Sequence, residues 1–321
     1  MWRPRAEPRF ATMRLHRSTT ALAAAAAALA CAAPASATSP GRNGRIAFGL
    51  PTDQGVQLQT IRPDGRDRRQ ITNVDGDAVS PDWSPDGRYL VFELGTEENA
   101  NVAYVAADGG PIHVLPAPAG TFEGQPSFMP DGRHILFTQF NGEEEATWIA
   151  RLDGSDRRHI TAGPGDATDP NAAPDGGRFS YVGVKDHNWE VEQALFTSSL
   201  DGRHQLQLTP FDTEVAIKQD WSPDGRRIVF TDNADFVRPD QSANLGTIRS
   251  AGGGVRYLTH YADPEVNAFA GSYSPDGRRI VFRYEDHGQY ALKTIRTDGT
   301  HVRTVIPLSA DRPRYIDWGT R

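Results

Sequence analysis

Cysteine is almost absent from this sequence. The single one, Cys31 among 321 residues, excludes a disulfide framework and any Cys-based metal site from the rest of the chain. Long apolar runs are scarce as well. One alanine-rich stretch, from about Thr20 to Ala33, is too short and too small-sided for a good membrane span, and no other stretch is long enough. Positive charge is not in excess: 34 Lys and Arg stand against 41 Asp and Glu, a formal charge of −7, which argues against a nucleic-acid partner. Two catalytic signatures are also missing. With neither a Gly-x-Ser-x-Gly elbow nor a His-Glu-x-x-His segment, nothing points directly to a serine hydrolase or a zinc protease.

What is present begins with a leader. Met13 opens a short basic segment (Arg14, His16, Arg17), the alanine-rich run follows, and the small-residue site Ala35-Ser36-Ala37 closes it. That order is expected of a secretory signal peptide cut after Ala37, with residues 1–12 as an extension upstream of the true start. Without residues 1–37, which carry five Arg and one Glu, the formal charge falls from −7 to −11. A secreted, extracellular or periplasmic, envelope-associated acidic protein is expected. Lipid anchoring at Cys31 is not, because Leu29 stands one position too near the Cys for a lipoprotein box.

From residue 38 onward the chain is a repeat. Asp82 to Phe92 reads Asp-Trp-Ser-Pro-Asp-Gly-Arg-Tyr-Leu-Val-Phe; it recurs at Asp220 to Phe230 and Ser272 to Phe282, and in worn form at Ser127 to Phe137 and Asn171 to Tyr181. Each copy encodes a hairpin: Pro presets φ at the first corner of a turn, Asp tolerates the second, and Gly takes the left-handed position. A second mark alternates with the first, at Asp64-Gly65, Asp108-Gly109, Asp153-Gly154, Asp201-Gly202, Ala251-Gly252 and Asp298-Gly299. Short strands precede it (Val56 to Ile61, Val102 to Val105, Trp148 to Leu152, Leu292 to Ile295), and shorter ones follow.

Four antiparallel strands per unit of this length are the pattern of a propeller blade. Six second-type turns imply an all-β, six-bladed β-propeller over residues 38–321. The Pro-Asp-Gly turn occurs only at Gly87, Gly132, Gly176, Gly225 and Gly277. Asn43 to Phe48 looks like the back half of the missing copy, and Tyr315 to Trp318 like its front half. One blade is therefore expected to be shared by the two ends of the chain. Spacing agrees: Trp83 lies 18 residues after Gly65, Trp221 lies 19 after Gly202, and Trp318 lies 19 after Gly299. Such a pairing removes the open edges of the ring.

The Trp-Ser-Pro-Asp-Gly-Arg-Arg-Ile-Val-Phe core, followed by Asp-Gly and Leu-Thr, resembles the TolB-like propeller repeat, a type also found in propellers attached to tricorn and dipeptidyl-peptidase enzymes. The resemblance covers nearly all of residues 43–319 and does not extend to the α/β domain that TolB carries before its propeller. It implies a fold; propellers host binding and catalysis alike.

Both Gly turns of a blade lie on one face of the disc, so the longer connections lie on the other. The extra residues fall in Val184 to Glu192, Asp232 to Ala243 and His260 to Ala270, all on that second face, where recognition is expected. Most Asp and Glu fall there too, while Arg88, Arg133, Arg178, Arg226, Arg227, Arg278 and Arg279 cluster near the turns. Asp75, Asp77, Glu123, Asp166, Asp212 and Glu214 are thus candidates for an acidic channel mouth. Asp186-His187-Asn188-Trp189-Glu190, Phe236, Asp263, Glu265 and His287 are candidates for contact with a partner. The bland alternative is that these are ordinary loop and solubility residues.

The recurring aromatics Trp83, Phe128, Trp221, Tyr273 and Trp318 hold one register just before the turn, which assigns them to packing between blades and not to a ligand-stacking ring. Ala172 takes their place in one copy, so that blade is expected to be the least well packed. The leading functional expectation is a monomeric propeller binding a protein or peptide, a cationic one if the acidic face is the contact. A metal-assisted lyase or hydrolase acting on a polysaccharide at the channel mouth is the alternative, since carboxylates from different blades can converge. A third reading is a structural envelope module without a small ligand. No cofactor is expected, with a divalent ion in the channel as the one left open.

Overall fold

Each full Ser-Pro-Asp-Gly-Arg segment closes on itself through its serine. In a computed structural model that describes residues 40–96, 99–160, 166–187, 190–233 and 238–321, the Gly87 N–H donates to the Ser84 carbonyl at 2.8 Å. The Ser84 hydroxyl donates to Asp86 at 2.8 Å and accepts the N–H groups of Arg88 and Tyr89 at 3.1 and 2.9 Å. Ser222 and Ser274 do the same for Asp224 and Asp276, at 2.7 Å each. The glycines at these corners have φ of 68, 67 and 66° at Gly87, Gly225 and Gly277, a region closed to most side chains.

These turns join the first two strands of four-stranded antiparallel sheets, and six such sheets make the ring. Blade 1 takes Arg314–Thr320 from one end of the chain and Asn43–Thr52, Gly55–Ile61 and Arg69–Gln70 from the other. Ile46 lies opposite Trp318, and Ala47 opposite Asp317. The expected sharing of one blade by both termini is therefore observed. The inner strands of blades 2 to 6 are Asp77–Trp83, Phe122–Phe128, Asp166–Ala172, Asp220–Trp221 and Val266–Tyr273. Outer strands are two residues long except in blade 6, where Arg303–Ser309 has seven.

The core sits between blades. Trp83 packs on Ala47 and Leu58 of blade 1, Phe128 on Val91 and Val102 of blade 2, and Trp221 on Val182 and Leu195 of blade 4. Tyr273 and Trp318 repeat the arrangement against blades 5 and 6. At Ala172 the volume is supplied from behind: Phe179, Tyr181 and Phe196 share its cluster, with Tyr181 stacked on Phe196 at 5.3 Å. The loss of an aromatic in the inner strand is thus compensated by aromatics in the next two strands of the same blade.

Candidate functional site at the channel mouth

Inner strands line the central channel, and one register position, immediately before the aromatic, supplies a ring of polar side chains. In blade order these are Asp317, Asp82, Ser127, Asn171, Asp220 and Ser272. Four of the six reach the neighbouring blade and accept the backbone N–H that follows the matching residue there. Asp317 accepts from Trp83 at 2.9 Å, Asp82 from Phe128 at 2.8 Å, Ser127 from Ala172 at 3.3 Å, and Asp220 from Tyr273 at 2.7 Å. Asn171 contributes its carbonyl instead, to the Trp221 indole at 3.1 Å. The Asp that precedes Trp in the repeat is thus an inter-blade fastener. Burial, with Asp317 close by, drives the Asp82 carboxyl well above its ordinary range, against the pull of Lys218.

Two residues earlier a second ring is set by backbone geometry. Ser80, Gln125, Asp169, Lys218 and Tyr315 all have φ between 50 and 68°, and the strand register slips there in blades 2, 3 and 4. Such a bulge re-aims the side chain that an uninterrupted strand would place on the other side. Lys218 is the consequential member. Its backbone N–H donates to Asp169 at 2.5 Å, and its ammonium donates to the Pro81 carbonyl at 2.9 Å. Pro81 belongs to blade 2 and Lys218 leads into blade 5, so the side chain crosses the channel to the opposite wall.

Above this crossing the mouth is divided by charge. On blades 2 and 3, a cavity of about 260 Å³ is lined by Glu93, Glu123, Gln125 and Glu145. Burial raises the Glu93 carboxyl despite the hydrogen bond it accepts from the Gln125 N–H at 3.1 Å, and Asp77, Asp169 and Glu145 push it the same way. Burial and Asp166 raise Glu145. On the other side, a cavity of about 410 Å³ is lined by Lys218, Arg283, Arg312, Arg314, Tyr315 and Phe269. A larger cavity, about 1110 Å³, lies on the turn face. Two of its arginines are engaged: Arg178 is bonded to Asp175 and lies over Trp221, and Arg227 is bonded to Thr247 and Gly254.

Of the residues singled out from sequence, Asp263, Glu265 and His287 come together. The His287 Nε2 stands 3.3 Å from Glu265 and 3.7 Å from Asp263, and its Nδ1 is 2.8 Å from Asp286. Glu123 lines the acidic cavity, and Asp77 and Asp166 lie beside it, acting on Glu93 and Glu145. Asp77 accepts the Val56 N–H at 2.6 Å and Asp166 the Glu145 N–H at 3.0 Å. Glu123 is buried and paired with Arg157, and Glu214 is buried; neither belongs to an exposed acidic surface. Asp75 and Asp212 are exposed. Asp186, His187 and Glu190 flank a hairpin whose side chains lie outside the described residues, as do Trp189 and Phe236.

The division of charge by face needs correction at one place. Arg283, Arg312 and Arg314 sit on the long-connection face, at the channel mouth, away from the Gly turns. Sequence reading also passed over Glu93, Glu145 and Lys218. The recurrence of Asp before Trp at positions 82, 220 and 317 was the one available signal for the inner ring. Among the described residues no group of three or more His, Cys, Asp or Glu is placed to hold a metal ion. No helix among them is long and apolar enough to cross a membrane.

The family of TolB β-propeller domains matches residues 44–319. The chain belongs to this family. Tol-Pal system protein TolB of Bordetella pertussis is 26% identical over 284 residues, covering 86% of this chain and 59% of that protein. The protein of the same name from Anaeromyxobacter sp. is 28% identical over 205 residues, covering 64% of this chain and 43% of its own length. The chain thus spans about half the length of these TolB relatives. Crystalline TolB from Acinetobacter baumannii superposes with a TM-score of 0.71 at 21% identity, over 87% of this chain and 67% of that one. At that identity the likeness establishes the fold.

Proposed function

We propose that this TolB-family propeller is a secreted or envelope-associated protein that binds a protein or peptide partner through its long-connection face. The observation that carries this reading is the channel mouth, where a carboxylate-lined cavity and a guanidinium-lined cavity face each other above a channel crossed by one lysine. A mouth so arranged holds a segment that inserts and stops, and opposed charges fix its orientation. Exposed carboxylates at Asp75, Asp212, Asp263 and Glu265 surround it and suit cationic groups flanking the inserted segment. Export is the expectation from the leader, and membership in a family with Tol-Pal system relatives supports an envelope setting. The chain is expected to act as a monomer.

The test is capture of partners from the native cell envelope by the purified chain, by Asp263→Lys/Glu265→Lys, and by Arg226→Glu/Arg278→Glu on the turn face. Loss with the first pair and retention with the second is expected. Equal capture by all three, or loss only with the turn-face pair, would move the function off this face.

A further inference from the structure

The basic half of the mouth has more positive charge than its surroundings pair. Glu285 serves two guanidiniums, Arg283 at 2.8 Å and Arg312 at 3.1 Å, while Arg314 has no carboxylate partner among the described residues. Asp311, on the same connection, is turned to Arg68 at 3.8 Å. Only 11% of the Arg283 side chain is exposed, and the Nε atoms of Arg312 and Arg314 are buried without a hydrogen-bond partner. Burial, reinforced by Arg312 and Arg314, draws Arg283 down to about 10 against the pull of Glu285. Gathering like charges and leaving their donors unused is costly, and the cost is offset when an anion sits among them.

We propose that this cavity is an anion site that receives a carboxylate of the bound peptide, either its C-terminal carboxylate or an acidic side chain. The assignment rests on the reading of the long-connection face as the binding face. Guanidinium forks match carboxylate geometry, and Arg314, being unpaired, gives the incoming group a fork of its own. Lys218 closes the channel beneath and makes the cavity a dead end, suited to the tip of a chain. A through-running polymer has no exit. Sugar stacking is disfavoured as well, because Arg283 already covers the Phe269 ring at 4.2 Å and Arg312 lies over Tyr290 at 5.3 Å.

The test is calorimetric titration of the whole chain, up to about 1 mM ligand, with an N-acetylated acidic hexapeptide. Parallel arms use its C-terminal amide, its Glu→Gln form, inorganic phosphate and trigalacturonate. Saturable binding of the hexapeptide is expected, weakened about tenfold or more by Arg314→Gln and by Arg312→Gln. Whichever of the amide or the Glu→Gln form binds worse identifies the carboxylate used. Thermal unfolding of both variants checks the fold; if Arg314→Gln is unfolded, Arg314→Lys, which keeps charge but loses the fork, is expected to bind with intermediate affinity. Absence of saturable binding, or affinity indifferent to both variants, overturns the proposal. Phosphate binding as tightly as the peptide, or trigalacturonate binding more tightly, also overturns it. Partner capture that persists in Arg314→Gln but is lost in Asp263→Lys/Glu265→Lys removes this anchor and leaves the binding function standing, whereas capture indifferent to every long-connection-face variant removes both.

Discussion

The ammonium of Lys218 reaches the carbonyl of Pro81 on the opposite blade, 2.9 Å away, and so ties two walls of the channel that the chain order separates by 137 residues. It divides the channel into an outer mouth, where charged groups are open to a ligand, and an inner chamber ringed by Asp82, Asp220 and Asp317. The lysine is held from both ends. Its own backbone is in the left-handed region, with φ of 68°, and is fixed there by the bond to Asp169. A long side chain launched from a bulge is what lets one residue span the gap.

Lys218→Met keeps the length and apolar stem but removes the donor and the charge. It leaves the Pro81 carbonyl without its bond and takes away the cation that offsets Asp82 and Asp169. A loss of about 3 kcal/mol in urea denaturation at neutral pH is expected. The loss should shrink as pH falls and those raised carboxyls take up protons. Equal stability of the two proteins at neutral pH would mean that the crossing contributes nothing.

Asp82 is expected to oppose stability as pH rises. Its folded carboxyl binds a proton more tightly than in the unfolded chain, first through burial and then through Asp317. Between the ordinary carboxylate range and its raised folded value the native state therefore holds more protons, and stability falls with increasing pH. Asp82→Asn retains an acceptor for the Phe128 N–H and stays neutral, so the fall should flatten. Asp82→Ala leaves that N–H unbonded and should lose about 1 to 3 kcal/mol throughout. Denaturation curves across the acidic range check both, and an Asn variant with the parent's pH slope would remove Asp82 as its source.

The two halves of a blade differ in how much the sequence reveals, for a physical reason. Turns are local: Ser84 bonds Asp86 and Gly87 across Pro85, so the motif that specifies them is contiguous and recurs visibly. Ring closure was legible because the half-repeats at Asn43 and Tyr315 are complementary remnants of that motif. The channel is not local. Arg283, Arg312 and Arg314 converge from a strand of blade 6, a connection and a strand of blade 1, and no spacing rule links them. The left-handed residues at Ser80, Gln125, Asp169, Lys218 and Tyr315 also break the in-out alternation by which strand residues are usually assigned to a face. Charge counts by segment placed Glu123 at the mouth, where it lines the acidic cavity, but its burial and its pairing with Arg157 were not legible in them.

His287 should make the rim sensitive to alkali. Its hydrogen bond to Asp286, then the fields of Glu265 and Asp263, raise it above the ordinary histidine value. The protonated ring ties the hairpin after Asp286 to the connection carrying Asp263 and Glu265. That contribution is fully present below about pH 6.5, the unfolded value, and is lost as pH rises through the higher folded value. An NMR titration of the ring should give a midpoint above that of a free histidine, and His287→Gln should abolish the associated change in rim resonances. A midpoint at or below the free value would dissolve the clamp.

Trp221 tests whether the inter-blade register carries the stability of the ring. Its side chain is fully buried against Val182, Leu195 and Leu208 of blade 4, its indole donates to the Asn171 carbonyl, and the Arg178 guanidinium lies over it at 5.2 Å. Trp221→Ala opens a void between blades 4 and 5 that the rigid strands on either side cannot collapse to fill, and it frees the Asn171 carbonyl. A loss of about 3 to 5 kcal/mol is expected in chemical denaturation. Trp221→Phe keeps most of the volume and loses the hydrogen bond, so its cost should be smaller, about 1 to 2 kcal/mol. If Trp221→Ala unfolds at the same denaturant concentration as the parent, the aromatic before the turn is not what holds neighbouring blades together.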